Sequence, residues 1–225
     1  MEKYVVITAG GKGERMHSSV PKQLMNIAGK PMLLHVFERF LAYSANLKFV
    51  LVLPEAHHSE WESICHRYHL TTPHTVTGNG PTRFHSVKNG LKQVPHNVLV
   101  AIHDGARPLV SVETISTAFY FAEKMGNAVP VTGITESVRI KDNALSTPLP
   151  RDRVKVVQTP QCFRSTQIKK AYDVSYRESF TDDATVLEAS GERAYLTEGN
   201  AENIKITSPS DLLIAEALLS GNTRG

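Results

Sequence analysis

Tyr4-Val5-Val6-Ile7-Thr8-Ala9-Gly10-Gly11-Lys12-Gly13-Glu14-Arg15-Met16 runs from an apolar, β-branched stretch straight into a turn with three glycines in four positions. The first half has the composition of a strand buried on both faces. The second half lets the backbone pass close to a ligand, and its successive amides can cradle phosphate. Similar strand candidates recur at Phe49–Leu53, Asn97–Ile102 and Ala128–Thr132. Between them, Met32–Tyr43, Ser59–Tyr68, Arg83–Gln93 and Val112–Met125 repeat apolar residues at the three- and four-residue spacing of one-sided helices. This alternation predicts an α/β layer fold with a mostly parallel sheet flanked by helices.

Local signals refine the pattern. Ser59 with Glu62 has the spacing of a capping box, and Thr82 is placed to cap the helix that follows it. After Thr132 the rhythm changes. Ser137-Val138-Arg139-Ile140 and Val154-Lys155-Val156-Val157 alternate polar and apolar side chains about the turn signal Asp142-Asn143 and the stretch Pro148-Leu149-Pro150. This predicts a β-hairpin arm over about 134–157, with little core of its own, that packs on something else such as a second subunit. Helical pattern resumes over Ser165–Tyr176 and Asp182–Ser190, and Ser210–Leu219 closes the chain. With no repeat, low-complexity stretch or linker, residues 1–225 read as one domain with one excursion.

Composition narrows the function classes. Apolar residues at 41 % and charged residues at 21 % are ordinary globular values and argue against wholesale disorder. The longest apolar runs, such as Leu51-Val52-Leu53 and Ala128–Val131, are far too short to span a bilayer, so no membrane partner is expected. Met1-Glu2-Lys3 leads directly into the first strand, so no signal peptide is expected. Two cysteines, Cys65 and Cys162, give no disulfide framework and suit a reducing compartment, which makes the cytoplasm the expected location. A net charge of +3 without any block of five like charges offers no track for a nucleic-acid backbone, and no such partner is expected. A few placed cations can still hold a small polyanion.

Three clusters carry candidate chemistry. The first is the glycine loop with Lys12 and Arg15, followed by Pro21-Lys22-Gln23. Cations at the end of a first strand lie where open α/β sheets bind ligands. Named phosphate motifs fail here. Met16 stands where the dinucleotide fingerprint needs Gly or Ala, and neither Gly11-Lys12 nor Gly29-Lys30 precedes the Ser or Thr of a Walker A loop. The second cluster is His103-Asp104-Gly105-Ala106-Arg107-Pro108 at another strand end. Asp104 there suits Mg²⁺ or a sugar hydroxyl, while an Asp104–Arg107 pair would be an ordinary loop ion pair. The third, Gly78-Asn79-Gly80-Pro81-Thr82-Arg83-Phe84-His85-Ser86, is a glycine turn opening a helix. It offers backbone amides to a ligand or serves as a plain connection. His66 and His69 have no third ligand in reach, and a solvated surface is the better reading for them.

Together these clusters resemble the 2-C-methyl-D-erythritol 4-phosphate cytidylyltransferase family of the non-mevalonate isoprenoid pathway. The resemblance runs from Tyr4 to about Leu219 through five motifs in order. They are Ala9–Met16 with Pro21-Lys22-Gln23, Gly80 through Arg83 to Ser86-Val87, His103–Pro108, Thr159-Pro160-Gln161, and Asn203-Ile204-Lys205-Ile206-Thr207 with Pro209 and Asp211. It implies a Rossmann-like nucleotidyltransferase fold, a homodimer, and Mg²⁺-dependent use of CTP. CMP would be joined to the phosphate of methylerythritol phosphate, with pyrophosphate released. By motif matching, Arg15 and Lys22 resemble the pair that stabilises the transition state at the α-phosphate, and Lys205 another phosphate-contacting lysine. Arg151, chosen over Arg153 by its distance from Thr159, resembles the arm residue that positions the sugar phosphate. Asp104, Arg107, Ser137 and Thr159 fall where the family binds the methylerythritol moiety. Ala9, Gly10, Gly11, Gly80, Ser86 and Gly105 fall in its CTP-binding loops. Mg²⁺ would be bound mainly through the CTP phosphates, near Asp104.

The chemistry agrees with such a residue set. Attack of one phosphate on another is opposed by like charge, and the nucleophile is already ionised. Alignment and neutralisation are therefore needed, and a general base is not. A pentitol-phosphate cytidylyltransferase would share the loop and lysines, but Gly105-Ala106 favours the methylerythritol enzyme. A non-catalytic CTP-sensing module would not need Arg15, Lys22 and Lys205 together, and Met16 disfavours a nicotinamide oxidoreductase.

Overall fold

Neighbouring residues along the central strands pack into different cores, so helices cover both faces of the sheet. Val5, Ile7, Phe49, Leu51 and Ala101 join one apolar cluster, whereas Val6, Val50, Val52, Val100 and Ile102 join another. This is period-two alternation with both faces apolar. The computed structural model describes residues 1–11 and 22–221. Its first half contains β1 (Lys3–Thr8), β2 (Asn26–Ile27), β3 (Lys30–Pro31), α1 (Met32–Tyr43), β4 (Lys48–Val52), α2 (His58–Arg67), β5 (His74–Thr77), α3 (Arg83–Lys92) and β6 (Leu99–Asp104). Then follow α4 (Val112–Met125), β7 (Asn127–Gly133), β8 (Val138–Asp142), β9 (Leu145–Leu149), β10 (Lys155–Val157) and β11 (Gln161–Arg164). The chain ends with α5 (Ser165–Ala171), α6 (Asp183–Glu188), β12 (Leu196–Glu198) and α7 (Pro209–Gly221).

The main sheet runs β10-β7-β11-β6-β1-β4-β5, with β12 also paired to β7. Strands β5, β4, β1 and β6 are parallel, and β11 runs antiparallel between β6 and β7. Since β4 lies on one side of β1 and β6 on the other, the strand order reverses there. A crevice opens beyond their carboxyl ends. The register sets Thr8 beside Asp104 at its mouth. On one face Phe37 of α1 stacks on Phe49 with ring centroids 4.9 Å apart, beside Trp61 of α2 and Phe119 of α4. On the other, Phe84 and Val87 of α3 pack with Ile168 of α5 and Leu187 of α6.

Several local expectations resolve differently. Helix α2 begins at His58, directly after a 3₁₀ turn over Glu55–His57, and His57 makes no side-chain cap. Ser59 is thus inside the helix, and the capping box with Glu62 does not form. Pro54, whose ring fixes its backbone, turns the chain into this helical run earlier. Thr82 does cap α3, its hydroxyl accepting the His85 N–H. Strands β8 and β9 form a hairpin of their own, turning at Asn143 with φ 50°. Asparagine tolerates that left-handed backbone better than most residues. Residues 155–157, read with the arm, form β10 and pair with β7 in the main sheet. The projecting hairpin is largely exposed, with Leu145 at 79 %. Among the described residues, no helix is long and apolar enough to cross a membrane.

Candidate active site

Beyond the ends of β1 and β6 lies a cleft of about 470 Å³. Gly10 and Gly11 line it after β1, and Gly80 and Ser86 line it around the start of α3. Lys22, Asp104 and Lys205 also face it. A Cβ at Gly10 would lie 2.7 Å from Asn79 Cβ, so only glycine lets these two loops approach. The Gly80 N–H donates to Ser86 Oγ at 3.1 Å, and that hydroxyl donates to Thr82 O at 3.0 Å. The glycine turn is thereby pinned to the first turn of α3.

Asp104 is the electrostatic centre. Its Oδ1 accepts from Arg83 Nε at 3.1 Å. Its Oδ2 lies 2.9 Å from Lys205 Nζ and 3.6 Å from Arg107 Nε. Burial pushes this carboxyl up, but Arg83, Lys205 and Arg107 outweigh it and hold Asp104 well below the usual carboxylate range. Its backbone is held as firmly. The Asp104 N–H donates to Thr159 Oγ1 at 3.0 Å, Thr159 Oγ1 lies 3.1 Å from His103 Nδ1, and His103 Nε2 lies 3.0 Å from Arg107 O. A carbonyl can only accept, so the ring carries its proton on Nε2 and Thr159 donates to Nδ1. Burial pulls the His103 pKa down to about 4, which keeps the ring in the neutral form this chain requires.

Backbone seams bring Lys205 here from far along the sequence. Ile206 N–H donates to Ala106 O at 2.9 Å, and Arg107 Nη1 donates to Asn203 O at 2.7 Å. Asn203 Nδ2 donates to Thr159 O at 2.8 Å. The loop carrying Lys205 is therefore stitched to the turn after β6. Arg83 is tied in another direction. Its Nη1 and Nη2 fork onto Asp183 Oδ1 and Oδ2 at 2.8 and 2.7 Å, and Tyr172 Oη donates to Asp183 Oδ1 at 2.6 Å. Sequence reading does not single out Asp183. Its only local signal is the Asp182-Asp183 pair opening a helix, and its partner is 100 residues away.

The candidates thus divide. Gly10, Gly11, Gly80, Ser86, Lys22, Asp104 and Lys205 line the cleft. Ala9 and Gly105 stand behind it, the first donating its N–H to Val52 O at 2.8 Å and the second to Thr8 O at 2.9 Å. A Cβ at Gly105 would meet Leu33 Cδ2 at 2.9 Å. Arg107 and Thr159 bond to the frame that holds Asp104 and Lys205. Ser137 and Arg151 are exposed near the arm, outside this cleft lining, and Arg151 Nη1 donates to Thr135 O at 2.9 Å. Arg15 lies outside the described residues, as does Lys12. Both Asp104 oxygens are engaged by cations, as an ion pair with Arg107 and beyond it. Among the described residues, no group of three His, Cys, Asp or Glu side chains is placed to hold a metal ion.

The family model for 2-C-methyl-D-erythritol 4-phosphate cytidylyltransferase matches residues 3–221. The chain belongs to this family. A curated 2-C-methyl-D-erythritol 4-phosphate cytidylyltransferase from Bacteroides thetaiotaomicron is 46 % identical over 219 residues, covering 97 % of this chain and 100 % of the relative. One from Porphyromonas gingivalis is 46 % identical over 220 residues, covering 97 % and 98 %. Among solved structures, the enzyme of that name from Francisella tularensis matches with a TM-score of 0.80 at 28 % identity, covering 96 % of this chain and 99 % of that one. The 4-diphosphocytidyl-2C-methyl-D-erythritol synthase from Anaerococcus prevotii matches at 0.83 and 25 %, covering 97 % and 98 %. In this methylerythritol phosphate cytidylyltransferase fold, the glycine loop and Asp104 meet at the strand-order reversal.

Proposed function

We infer that this chain transfers CMP from CTP to 2-C-methyl-D-erythritol 4-phosphate, releasing pyrophosphate, as a step in isoprenoid precursor synthesis. The observation that carries the reading is the cleft at the β1–β6 reversal, lined by glycine backbone, Lys22 and Lys205, in a chain of this family. A phosphate oxygen of the acceptor forms a bond to the α-phosphorus of CTP, and the bond from that phosphorus to the β-bridging oxygen breaks. Pyrophosphate leaves with the electron pair, and no proton need move.

In this reading Lys22, Lys205 and Arg15 neutralise the phosphates, and the loops at Ala9, Gly10, Gly11, Gly80, Ser86 and Gly105 hold the nucleotide. Asp104 accepts hydroxyls of the methylerythritol chain, with Arg107 and Thr159 holding it in place. The Asp104 surroundings do not suit a protein cage for Mg²⁺, because both oxygens already face cations. Mg²⁺ keeps much of its shell as water and substrate phosphate, so we assign it to the CTP phosphates, where it supplies further neutralisation.

The same reading includes a cytoplasmic homodimer in which the arm of one subunit, with Ser137 and Arg151, covers the cleft of the other. Its support is the exposure of Ile140 and Leu145 and the position of Arg151 outside its own chain's cleft lining. Cys65 and Cys162 are free thiols, as suits a reducing compartment. A pyrophosphate-release assay crossing four nucleotides with a panel of sugar and polyol phosphates tests the whole. Turnover is expected with CTP and methylerythritol phosphate. UTP should fail, because its carbonyl replaces the cytosine amine and leaves site groups unpaired. Equal turnover with UTP, or faster turnover with a pentitol phosphate, would refute the assignment.

A further inference from the structure

We propose that Asp183 is a positioning residue for the transfer: it locks Arg83 and thereby sets the face that the Asp104 carboxylate turns to the polyol. The proposal rests on the reading above that Asp104 meets the methylerythritol hydroxyls. Asp183 is fully buried and is not part of the cleft lining, whereas Arg83 and Asp104 both are. It acts at one remove.

The argument is geometric. A guanidinium is a rigid plane, and a two-pronged grip on its Nη1 and Nη2 fixes that plane. Asp183 supplies the grip at 2.8 and 2.7 Å, which leaves Nε with one direction, onto Asp104 Oδ1 at 3.1 Å. Asp183 is itself kept from turning by the Tyr172 hydroxyl at 2.6 Å, and the Tyr172 ring stacks on Phe84, the residue after Arg83, with centroids 4.8 Å apart. Arg83 therefore commits a single N–H to Asp104. Asp104 Oδ2 is left to Lys205 at 2.9 Å, Arg107 Nε at 3.6 Å and the cleft. With the Asp183 charge removed, the fork of Arg83 turns to the carboxylate that remains beside it. Both prongs of Arg83 would then close on Asp104, displacing Lys205 from Oδ2 and turning that oxygen from the cleft face the polyol needs. The nucleotide turn is insulated from this change, because Gly80, Ser86 and Thr82 are pinned by bonds of their own.

The test is steady-state kinetics of purified full-length Asp183→Asn, Asp183→Glu and Tyr172→Phe, with both substrates varied and melting temperatures recorded. In Asp183→Asn the KM for methylerythritol phosphate should rise roughly ten- to hundredfold, the scale on which misplacing a positioned group costs an enzyme. The KM for CTP should stay within about threefold, and Asp183→Glu should restore most of the loss. A merely structural carboxylate would lower the melting temperature or the active fraction and leave both KM values alone, and that outcome overturns the proposal. So does an equal rise in both KM values. If Asp183→Asn does not fold, Tyr172→Phe decides: a several-fold rise confined to the polyol KM supports the proposal, and unchanged values overturn it. Wild-type protein without turnover would instead remove the functional reading, and the positioning role with it.

Discussion

The cleft and the arm are built in opposite ways. At the cleft, Asp104 bonds to Arg83 twenty-one residues before it, Thr159 fifty-five residues after it, and Lys205 beyond that. On the hairpin, Arg139 reaches Ser146 across seven residues, and Arg151 reaches Thr135 across sixteen. The first region takes its geometry from the whole sheet and is preorganised within one chain. The second is bonded mainly within its own hairpin and joins the main sheet only at its base through β10. The place of its tip over any cleft must therefore come from what it leans on. A single chain can thus build its electrostatics in advance, and the homodimer proposed above would leave one wall of its site to the arm of another subunit.

The contrast breaks most directly under truncation. Phe37→Ala removes a ring stacked in the core and should cost about 3–5 kcal/mol in urea unfolding. Leu145→Ala, at the exposed start of β9 on the hairpin, should stay within about 0.5 kcal/mol at low protein concentration. Comparable losses would make the arm part of the core.

Within the cleft, chemistry and stability should separate. Lys22→Ala should lower kcat by roughly 10²–10³-fold, equivalent to about 2.7–4 kcal/mol of transition-state stabilisation. Its melting temperature should fall far less than that of Phe37→Ala. A near-normal kcat would remove Lys22 from the phosphate-binding set.

The same contrast explains what was legible in the sequence. Helices α1 and α4 fall on the ranges their periodicity predicts, and the central strands differ only at their ends, because each buries a continuous apolar pattern. Strand β11 escapes that logic. Gln161 opens it and is fully buried, satisfied by donating to Asp182 Oδ2 and accepting the Ala184 N–H, both at 2.8 Å. A buried amide looks like a loop residue until its partners are known. Strands β5 and β12 are short and half-exposed, so neither offers an apolar run. At the site, Gly10, Gly11 and Lys22 are readable because they cluster along the chain after β1. Lys205 stands far from them in sequence and is reached only through the family resemblance. The Arg83–Asp183 fork is not readable, since only topology unites residues 100 positions apart.

Acid provides a milder probe that spares the arm, whose residues 134–157 include no histidine. His103 is fully buried, and burial lowers its folded pKa to about 4 from the ordinary 6.5. The unfolded chain takes up a proton below pH 6.5 that the folded chain refuses until about pH 4. Stability from this group is therefore complete above pH 6.5 and lost as pH falls through that window. At about 1.36 kcal/mol per pH unit, the loss by pH 5 is about 2 kcal/mol. Burial lowers the His35 pKa in the same direction, adding to the slope. His103→Gln should flatten the fall in unfolding free energy between pH 6.5 and 5, and an unchanged slope would show that His103 is not its source.

Mixing two damaged variants tests the division between cleft and arm most sharply. Asp104→Ala damages the cleft and Arg151→Ala the arm, and each variant alone should be nearly inactive. In the homodimer proposed above, equal amounts unfolded and refolded together give dimers of which half are mixed. A two-fold interface is reciprocal, so in a mixed dimer one site pairs an intact cleft with an intact arm while the other carries both lesions. Half the dimers contribute half their sites, and activity should return to about a quarter of wild type. If Arg151 served the cleft of its own chain, every site would keep one lesion and mixing would restore nothing. Mass spectrometry of the refolded mixture establishes that mixed dimers formed, so zero recovery in their presence would return the arm to its own subunit.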